Sequence, residues 1–325
     1  MNQPLRIGTR DSQLAVWQAT LVQSELRLRG VEAELVYIKS DGDIDLVTPL
    51  YELGVQGIFT KTLDAALLNK RIDIAVHSMK DVPTQLAQGL QQAAVLPRAS
   101  FKDILVYKGD EKDLFEELGV VNGEWSSNEK SKIKNQKSKL IIATSSVRRK
   151  AQWLNRYPDH VLDNLRGNVN TRMHKLEESN WNGAIFAAAG LERIDLRPEN
   201  SIDLDWMLPA PSQGAITIAC REEDLVSFEA AHQLNDVATA TCTRIEKDFL
   251  RVLMGGCTTP ISALAVIEKD TVLFRGNVLS LNGKQKAEIE KQVPLSASEG
   301  LGEQSAKELL ADGGQSIIEL IRNAR

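Results

Sequence analysis

Residues 72–83 read IDIAVHSMKDVP, an apolar run that ends in polar and charged side chains. Isoleucine and valine favour a buried strand, and Pro83 lacks the amide hydrogen that a strand ladder needs, so the strand should stop near Asp81. A carboxylate beside Lys80 then lies at the carboxyl end of a strand, where open α/β sheets bind ligands. A surface Lys–Asp pair would give the same pattern, so the rest of the chain must decide between the two interpretations.

The segments before this strand predict a parallel sheet covered by helices. They are strands at residues 5–9 and 31–39, a helix that Asp11 or Ser12 caps, and a helix over residues 60–69. Such alternation is typical of an α/β fold. Trp17 shares one face of the first helix with other apolar side chains, so it is predicted to pack in the core.

A second series of strands and helices follows and predicts a second lobe. Its strands are expected at residues 104–106, 140–144 and 184–190, with a strand and turn over residues 161–168. One helix is expected to be capped by Ser145 or Ser146, and another to span about residues 169–178. Residues 110–139, between the first two of these strands, are polar, and we interpret them as an exposed insertion rather than a core element.

Arginines recur at or near the strand-to-helix turns of both lobes. They are Arg10, Arg148, Arg149, Arg166, Arg172 and Arg193. Arg148 and Arg149 occupy the first turn of a predicted helix, where cations oppose the helix dipole, so we expect an anion among them. Each arginine alone could be a solvated charge, but together they could bind one acidic ligand in a cleft between the lobes.

The end of the second lobe predicts a return to the first. Residues 208–214 form a hinge rich in proline and glycine that contains Gln213, and residues 215–220 form an apolar strand. The predicted domains are residues 1–100 with 214–233 as a discontinuous first lobe, residues 101–208 as a second lobe, and residues 236–325 as a C-terminal α+β domain.

Composition and charge restrict the function classes. The chain has 325 residues and a formal net charge of −5, which gives no global support for binding nucleic acid or a membrane surface. The start has no signal-peptide pattern and no apolar run has membrane-spanning length, so a cytoplasmic location is expected.

The chain contains three cysteines, Cys220, Cys242 and Cys257. This sparse, odd number argues against a disulfide framework, and no Cys/His spacing resembles a metal site. Cys220 and Cys242 are predicted to be buried. Cys257 follows two glycines after a helix over residues 237–253, so its thiol should be accessible, although a turn cysteine without a role would have the same spacing. His77, inside the strand, is interpreted as a core residue rather than a catalyst.

Six motifs together resemble the porphobilinogen deaminase (hydroxymethylbilane synthase) family over nearly the whole chain. They are RIGTRDS at residues 6–12, VHSMKDVP at 76–83, TSSVRR at 144–149, LRGN at 165–168, AGLER at 189–193 and GGC at 255–257. The resemblance implies an α/β fold with two periplasmic-binding-protein-like βα lobes around a cleft, a C-terminal α+β domain, and a monomer.

The resemblance also implies a transferase of porphyrin (tetrapyrrole, haem) biosynthesis. It would join four porphobilinogen molecules head to tail with loss of ammonia and release hydroxymethylbilane with water. A dipyrromethane cofactor, made from the same substrate, would be attached to Cys257 by a thioether.

The same resemblance implies a role for each site residue. Asp81 would be the catalytic carboxylate, which stabilises the cation left when ammonia departs and transfers protons to and from pyrrole nitrogens. The other cofactor-binding residues would be Ser78, Lys80, Ser146, Arg148 and Arg149. The substrate-binding residues would be Arg10, Ser12, Arg166, Arg172 and Arg193.

The chain departs from the family pattern at two places. Gln56 stands in a glycine loop where the family usually has lysine, and the insertion at residues 110–139 is longer than usual and has no assigned role. A non-catalytic two-lobed anion-binding protein is the competing hypothesis, which the third domain and Cys257 disfavour. A nucleic-acid-binding role is opposed by the acidic net charge.

Overall fold

The computed structural model describes residues 3–39, 60–121, 124–125, 139–253 and 259–323. The predictions for Gln56 and Cys257 therefore lie outside the described residues. Among the described residues, no helix is long and apolar enough to cross a lipid bilayer.

The first lobe is built on a sheet with the strand order β2-β1-β3-β12-β4. Its strands are β1 (Leu5–Thr9), β2 (Ala33–Tyr37), β3 (Ile74–Ser78), β4 (Leu90–Val95) and β12 (Ile216–Arg221). Its helices are α1 (Gln13–Leu28), α2 (Lys61–Leu68) and α7 (Leu225–His232). Strand β1 runs parallel to β2 and β3, whereas β12 runs antiparallel to β3 and β4.

The second lobe is built on a sheet with the strand order β11-β5-β10-β8-β9. Its strands are β5 (Asp103–Tyr107), β8 (Ile141–Ala143), β9 (Val161–Asp163), β10 (Gly183–Ala187) and β11 (Ser201–Asp203), and a separate short pair is formed by β6 (Val120–Val121) and β7 (Glu124–Trp125). Its helices are α3 (Glu111–Leu118), α4 (Val147–Arg156), α5 (Val169–Glu178) and α6 (Ala188–Glu192).

The C-terminal domain packs helices against an antiparallel sheet. Its elements are α8 (Val237–Val252), β13 (Ile261–Glu268), β14 (Thr271–Leu279), β15 (Lys286–Pro294), α9 (Leu301–Leu309) and α10 (Gln315–Asn323). Phe249 of α8 and Phe274 of β14 are both fully buried, with ring centroids 5.2 Å apart in an edge-on arrangement. The predicted fold class, two βα lobes and a C-terminal α+β domain, is confirmed.

Three local predictions need correction. Trp17 is 37% exposed instead of buried, because the buried face of α1 is formed by other residues, such as Ala19 and Val22. The expected strand at residues 184–190 ends at Ala187, and helix α6 follows, since alanine favours helix more than any other residue. The polar insertion begins with the regular helix α3, which is capped by Asp110 and buries Leu114 and Leu118.

The segments that cross between the lobes meet the C-terminal domain around one buried carboxylate, that of Glu246 in α8. It forms an ion pair with Arg98 at 2.6 Å and accepts hydrogen bonds from the backbone amides of Ser212 and Ala265 at 2.6 and 2.8 Å. Glu246 is fully buried, and Arg98 also donates to the carbonyl of Gln213 at 2.8 Å. This carboxylate therefore fixes the crossing segments between the lobes against α8.

Replacing Glu246 by alanine should lower the free energy of unfolding by about 3–5 kcal/mol, because it leaves the Arg98 guanidinium desolvated without a counter-charge. The matched control is Glu303→Ala, which breaks an exposed ion pair with Arg251 and should cost no more than about 1 kcal/mol. Urea unfolding of both variants measures the difference. Equal losses of unfolding free energy in the two variants would show that the buried ion pair stabilises the fold no more than the exposed one.

Candidate active site

The Asp81 side chain lies just beyond the end of β3. The strand ladder stops at Ser78, and Met79–Asp81 form a single 3-10 turn closed by a hydrogen bond from the Val82 amide to the Met79 carbonyl at 3.2 Å. Asp81 is half-buried, and among the described residues it makes no hydrogen bond or ion pair. Because nothing in this part of the chain occupies its oxygens, they are available to a ligand.

Ser78 and Lys80, on either side of Met79, point to different partners. Ser78 Oγ accepts a hydrogen bond from Gln18 Nε2 of α1 at 2.9 Å, while Lys80 Nζ donates to Gln213 Oε1 at 3.5 Å. Burial lowers the pKa of Lys80 to about 8, although the carboxylate of Asp81 acts in the opposite direction. The ammonium is therefore mostly charged at pH 7, and its protonation is sensitive to the charges around it.

Arg148 and Arg149 converge on a carboxylate of the same lobe. Arg149 donates from Nε and Nη2 to Asp103 Oδ1 at 3.0 and 2.7 Å, and Arg148 Nη2 lies 2.8 Å from Asp103 Oδ2 as an ion pair. Ser146 caps α4 by accepting a bond from the Arg149 amide at 3.4 Å. Burial alone would raise the pKa of Asp103, but the two arginines hold it at about 2.

The anion predicted among Arg148 and Arg149 is thus present within the chain as Asp103, which the sequence reasoning missed. The available signal was an aspartate directly before the apolar residues of β5, because a charge at a buried strand end needs a partner. Gln18 was missed as well, and nothing in the sequence singled it out.

Arg172 brings the second lobe towards Asp81. It lies on α5, which Asn168 caps, and donates from Nε to the Gly167 carbonyl at 2.7 Å. Burial, with the repulsion of Arg149, lowers the pKa of Arg172 to about 10, whereas Asp81 raises it. This electrostatic coupling crosses the cleft, because Asp81 belongs to the first lobe and Arg172 to the second.

The remaining predicted residues lie around this group in different ways. Arg166 is buried and its charge acts on Arg172. Arg10 lies near His77, whose pKa is lowered to about 4 by burial and by the Arg10 charge, so His77 is neutral at pH 7. Ser12 precedes α1 without a capping hydrogen bond from its side chain.

Arg193 bridges the lobes at a separate point. Its Nη2 donates to the Gly214 carbonyl at 2.8 Å, and its guanidinium lies 5.7 Å from the centroid of the Trp17 ring. Burial lowers the pKa of Arg193 to about 10. No described hydrogen bond or ion pair joins Arg193 to Asp81 or to the arginines that contact Asp103.

The two described cysteines cannot act as nucleophiles near neutral pH. Cys220 and Cys242 are buried, and burial raises the pKa of each thiol to about 11. Among the described residues, no cluster of histidine, cysteine and carboxylate side chains is arranged to hold a metal ion.

The chemistry of the cleft fits a ligand that carries several carboxylates. Arg148 Nε is a buried donor without a hydrogen-bond partner among the described residues, so the charge of this guanidinium is only partly compensated by Asp103. Lys80, Arg166 and Arg172 add further cationic donors around the open carboxylate of Asp81. Fold and site together define a two-lobed α/β protein with a cationic cleft for acidic ligands and a third domain at the hinge.

Comparison with known protein families identifies the family to which this chain belongs. The family model described as "Porphobilinogen deaminase, dipyromethane cofactor binding domain" matches residues 5–228, and the one described as "Porphobilinogen deaminase, C-terminal domain" matches residues 240–311. The chain belongs to the porphobilinogen deaminase family, whose members are transferases. The resemblance predicted from the sequence motifs is thereby confirmed.

Curated relatives match this chain from end to end. A porphobilinogen deaminase of Trichlorobacter lovleyi is 38% identical over 319 residues, which cover 97% of this chain and 96% of the relative. One of Chlorobium phaeobacteroides is 37% identical and covers 99% of both chains, and one of Acidithiobacillus ferrooxidans is 38% identical and covers 100% of both.

Solved structures with a similar chain path are more distant. YehZ from Escherichia coli is 13% identical with a TM-score of 0.41, covering 76% of this chain and 92% of its own. An ancestral cationic amino acid solute-binding protein is 13% identical with a TM-score of 0.40, covering 72% and 88%.

Proposed function

We propose that this chain joins four porphobilinogen molecules head to tail, loses ammonia at each condensation, and releases linear hydroxymethylbilane with water, as a step of tetrapyrrole (haem and porphyrin) biosynthesis. The observation that carries the proposal is the open carboxylate of Asp81 in the first lobe, coupled across the cleft to Arg172 of the second. Membership of the porphobilinogen deaminase family supports the reaction, and the residue roles below are our assignment.

The cations of the cleft bind the acetate and propionate groups of porphobilinogen and of the growing chain. Arg148 and Arg149 are held in place by Asp103, so they offer their remaining donors without losing side-chain entropy on binding. We assign Ser78, Lys80, Ser146, Arg148 and Arg149 to the cofactor, and Arg10, Ser12, Arg166, Arg172 and Arg193 to the substrate. Arginine suits this task because its planar fork pairs with carboxylates in a bidentate manner.

Asp81 is assigned two roles that both use its open oxygens. Departure of ammonia leaves a positive charge on the substrate carbon, which a fixed carboxylate in a partly dry cleft stabilises. The same oxygens can accept and return the proton of a pyrrole nitrogen. Asp81 can do both because no described side chain competes for it.

Dipyrromethane, when bound, supplies the anchored pyrrole to which new units are added. We assign its attachment to Cys257 as a thioether, and we assign Lys80, Arg148 and Arg149 to its acidic groups. The two buried cysteines support this assignment by elimination, because their pKa values of about 11 keep them as thiols.

We also assign a cytoplasmic location, a monomeric state and the domain boundaries predicted above. The break between the two matched family models, at residues 228 and 240, supports a C-terminal domain that begins near residue 236. Mild proteolysis followed by mass measurement of the fragments, and light scattering of the intact protein, test the boundaries and the monomer.

Incubation of the purified protein with porphobilinogen tests the function. Ammonia should appear with consumption of porphobilinogen, and acidification and oxidation of the product should give a porphyrin absorption band. A pyrrole-specific colour reaction should be positive on the protein itself. Binding of porphobilinogen without release of ammonia would instead support the non-catalytic anion-binding protein.

A further inference from the structure

We propose that Asp103 and Gln213 are positioning residues that hold Lys80 of the first lobe and Arg148 and Arg149 of the second lobe as one unit, which binds acidic groups of pyrrole ligands. The proposal rests on the function above only for the identity of those ligands. Neither Asp103 nor Gln213 has to touch the ligand for this role.

A continuous series of polar contacts runs from one lobe to the other through the hinge. Lys80 Nζ donates to Gln213 Oε1 at 3.5 Å, and Gln213 Nε2 donates to Asp103 Oδ1 at 2.9 Å. The same Oδ1 accepts two bonds from Arg149, and Oδ2 pairs with Arg148. The cationic groups of both lobes are thereby attached to a single amide and a single carboxylate.

Both members of this link are fixed by the crossing segments themselves. Gln213 is 1% exposed, and its Nε2 also contacts the carbonyl of Phe101 at 2.8 Å. Gly214 next to it has φ +87°, and a Cβ there would lie 2.6 Å from the Ser100 carbonyl oxygen. The two crossing segments approach so closely that Gln213 and Asp103 cannot separate without opening the hinge.

The charge balance shows why the position of one carboxylate matters. Two guanidiniums contact Asp103 and one ammonium contacts Gln213, so the group keeps an excess of positive charge for an incoming acid. The charges that act on Lys80 are Asp81 and Asp103, which raise its pKa, and Arg148 and Arg149, which lower it along with burial. Moving the carboxylate should therefore change the protonation of Lys80 in a direction set by the move.

Two variants should shift the pKa of Lys80 in opposite directions. Asp103→Asn removes the carboxylate and should lower the pKa of Lys80 by about one pH unit. The exchange Asp103→Asn/Gln213→Glu keeps an amide–carboxylate hydrogen bond but moves the charge next to Lys80, and should raise that pKa above its value in the parent. Competitive acetylation of the holoenzyme across a pH series, with Lys80 followed by peptide mass spectrometry, measures both and needs no activity.

The matched control is Glu178→Gln, which removes an exposed carboxylate of α5 that is not among the charges acting on Lys80. It should leave the Lys80 titration unchanged. Equal titrations in all four proteins, or shifts of the same sign in both Asp103 variants, would overturn the proposal. If the parent does not turn over porphobilinogen, the proposed function is refuted, but the Lys80 titrations still test the positioning role of Asp103 and Gln213.

Gln213→Met keeps every charge and serves if the Asp103 variants do not fold. It removes the hydrogen bonds that join Lys80 to Asp103 through Gln213. The KM for porphobilinogen should rise about tenfold, which corresponds to one lost hydrogen bond, and kcat should change less. A lower melting temperature with unchanged KM would show that Gln213 only supports the fold, and would overturn its positioning role.

Discussion

Asp81→Asn is expected to lower kcat by at least about a hundredfold while the protein keeps its fold. Asparagine has the same shape as aspartate, and the carboxylate it replaces makes no described hydrogen bond whose loss could destabilise the chain. What disappears is the negative charge beside the substrate carbon and the acceptor for a pyrrole proton. The ground state needs neither, so KM should change much less than kcat.

The measurement is the steady-state rate of ammonia release, together with a melting curve for each protein. Asp312→Asn, an identical change at an exposed position of the C-terminal domain, is the control and should have the parent's rate. A near-normal kcat for Asp81→Asn would remove Asp81 from the mechanism. The cleft would then bind acidic ligands through its cations alone.

Most of the fold could be predicted from patterns within short segments of the sequence. Helix α5 spans Val169–Glu178, as predicted, because Asn168 provides an N-cap and the following residues tolerate helix. The strand before Asp81 was predicted from its β-branched residues, but it ends at Ser78 rather than near Asp81, because a 3-10 turn over Met79–Asp81 precedes Pro83. Such local signals depend only on neighbours in the sequence, so one chain is enough to read them.

Contacts between distant segments were not predictable in the same way. The periodicity of α1 grouped Trp17 with apolar residues, but it could not show that the ring faces Arg193 of the second lobe, 176 positions further along the chain. Likewise, two arginines in a first helical turn correctly indicated an anion. They did not indicate that Asp103, 45 positions before Arg148, supplies it.

The pairing of Arg148 and Arg149 with Asp103 determines what these two arginines contribute to the site. Had Arg148 and Arg149 been unpaired, their main contribution would be charge. Because Asp103 already compensates part of that charge, their contribution is a fixed geometry with a small positive excess. A site of this kind can bind a polyacid as it lengthens without holding any one state too tightly, since Asp103 already offsets part of the charge of the guanidiniums that bind it.

Cys257→Ser is expected to abolish the covalent cofactor. The purified parent should be heavier than its chain by the mass of one dipyrromethane, whereas Cys257→Ser should have the mass of the chain alone and no turnover. Serine cannot replace cysteine here, because a thiolate is far more accessible near neutral pH than an alkoxide and is the better nucleophile. Intact-protein mass spectrometry under denaturing conditions measures the attachment directly.

Helix α8, which precedes Cys257 in the sequence, contacts the turn that carries Asp81. Lys247 of α8 donates a hydrogen bond to the carbonyl of Val82, the residue after Asp81, and the helix ends at Val252. Five residues of helix, which advance about 8 Å, separate Lys247 from the end of α8. Cys220→Ser and Cys242→Ser are the matched controls and should retain the added mass, because both thiols are buried and protonated. An active parent of unmodified mass, or a modified Cys257→Ser protein, would refute the attachment and leave the cationic cleft to hold its pyrrole ligands without a covalent bond.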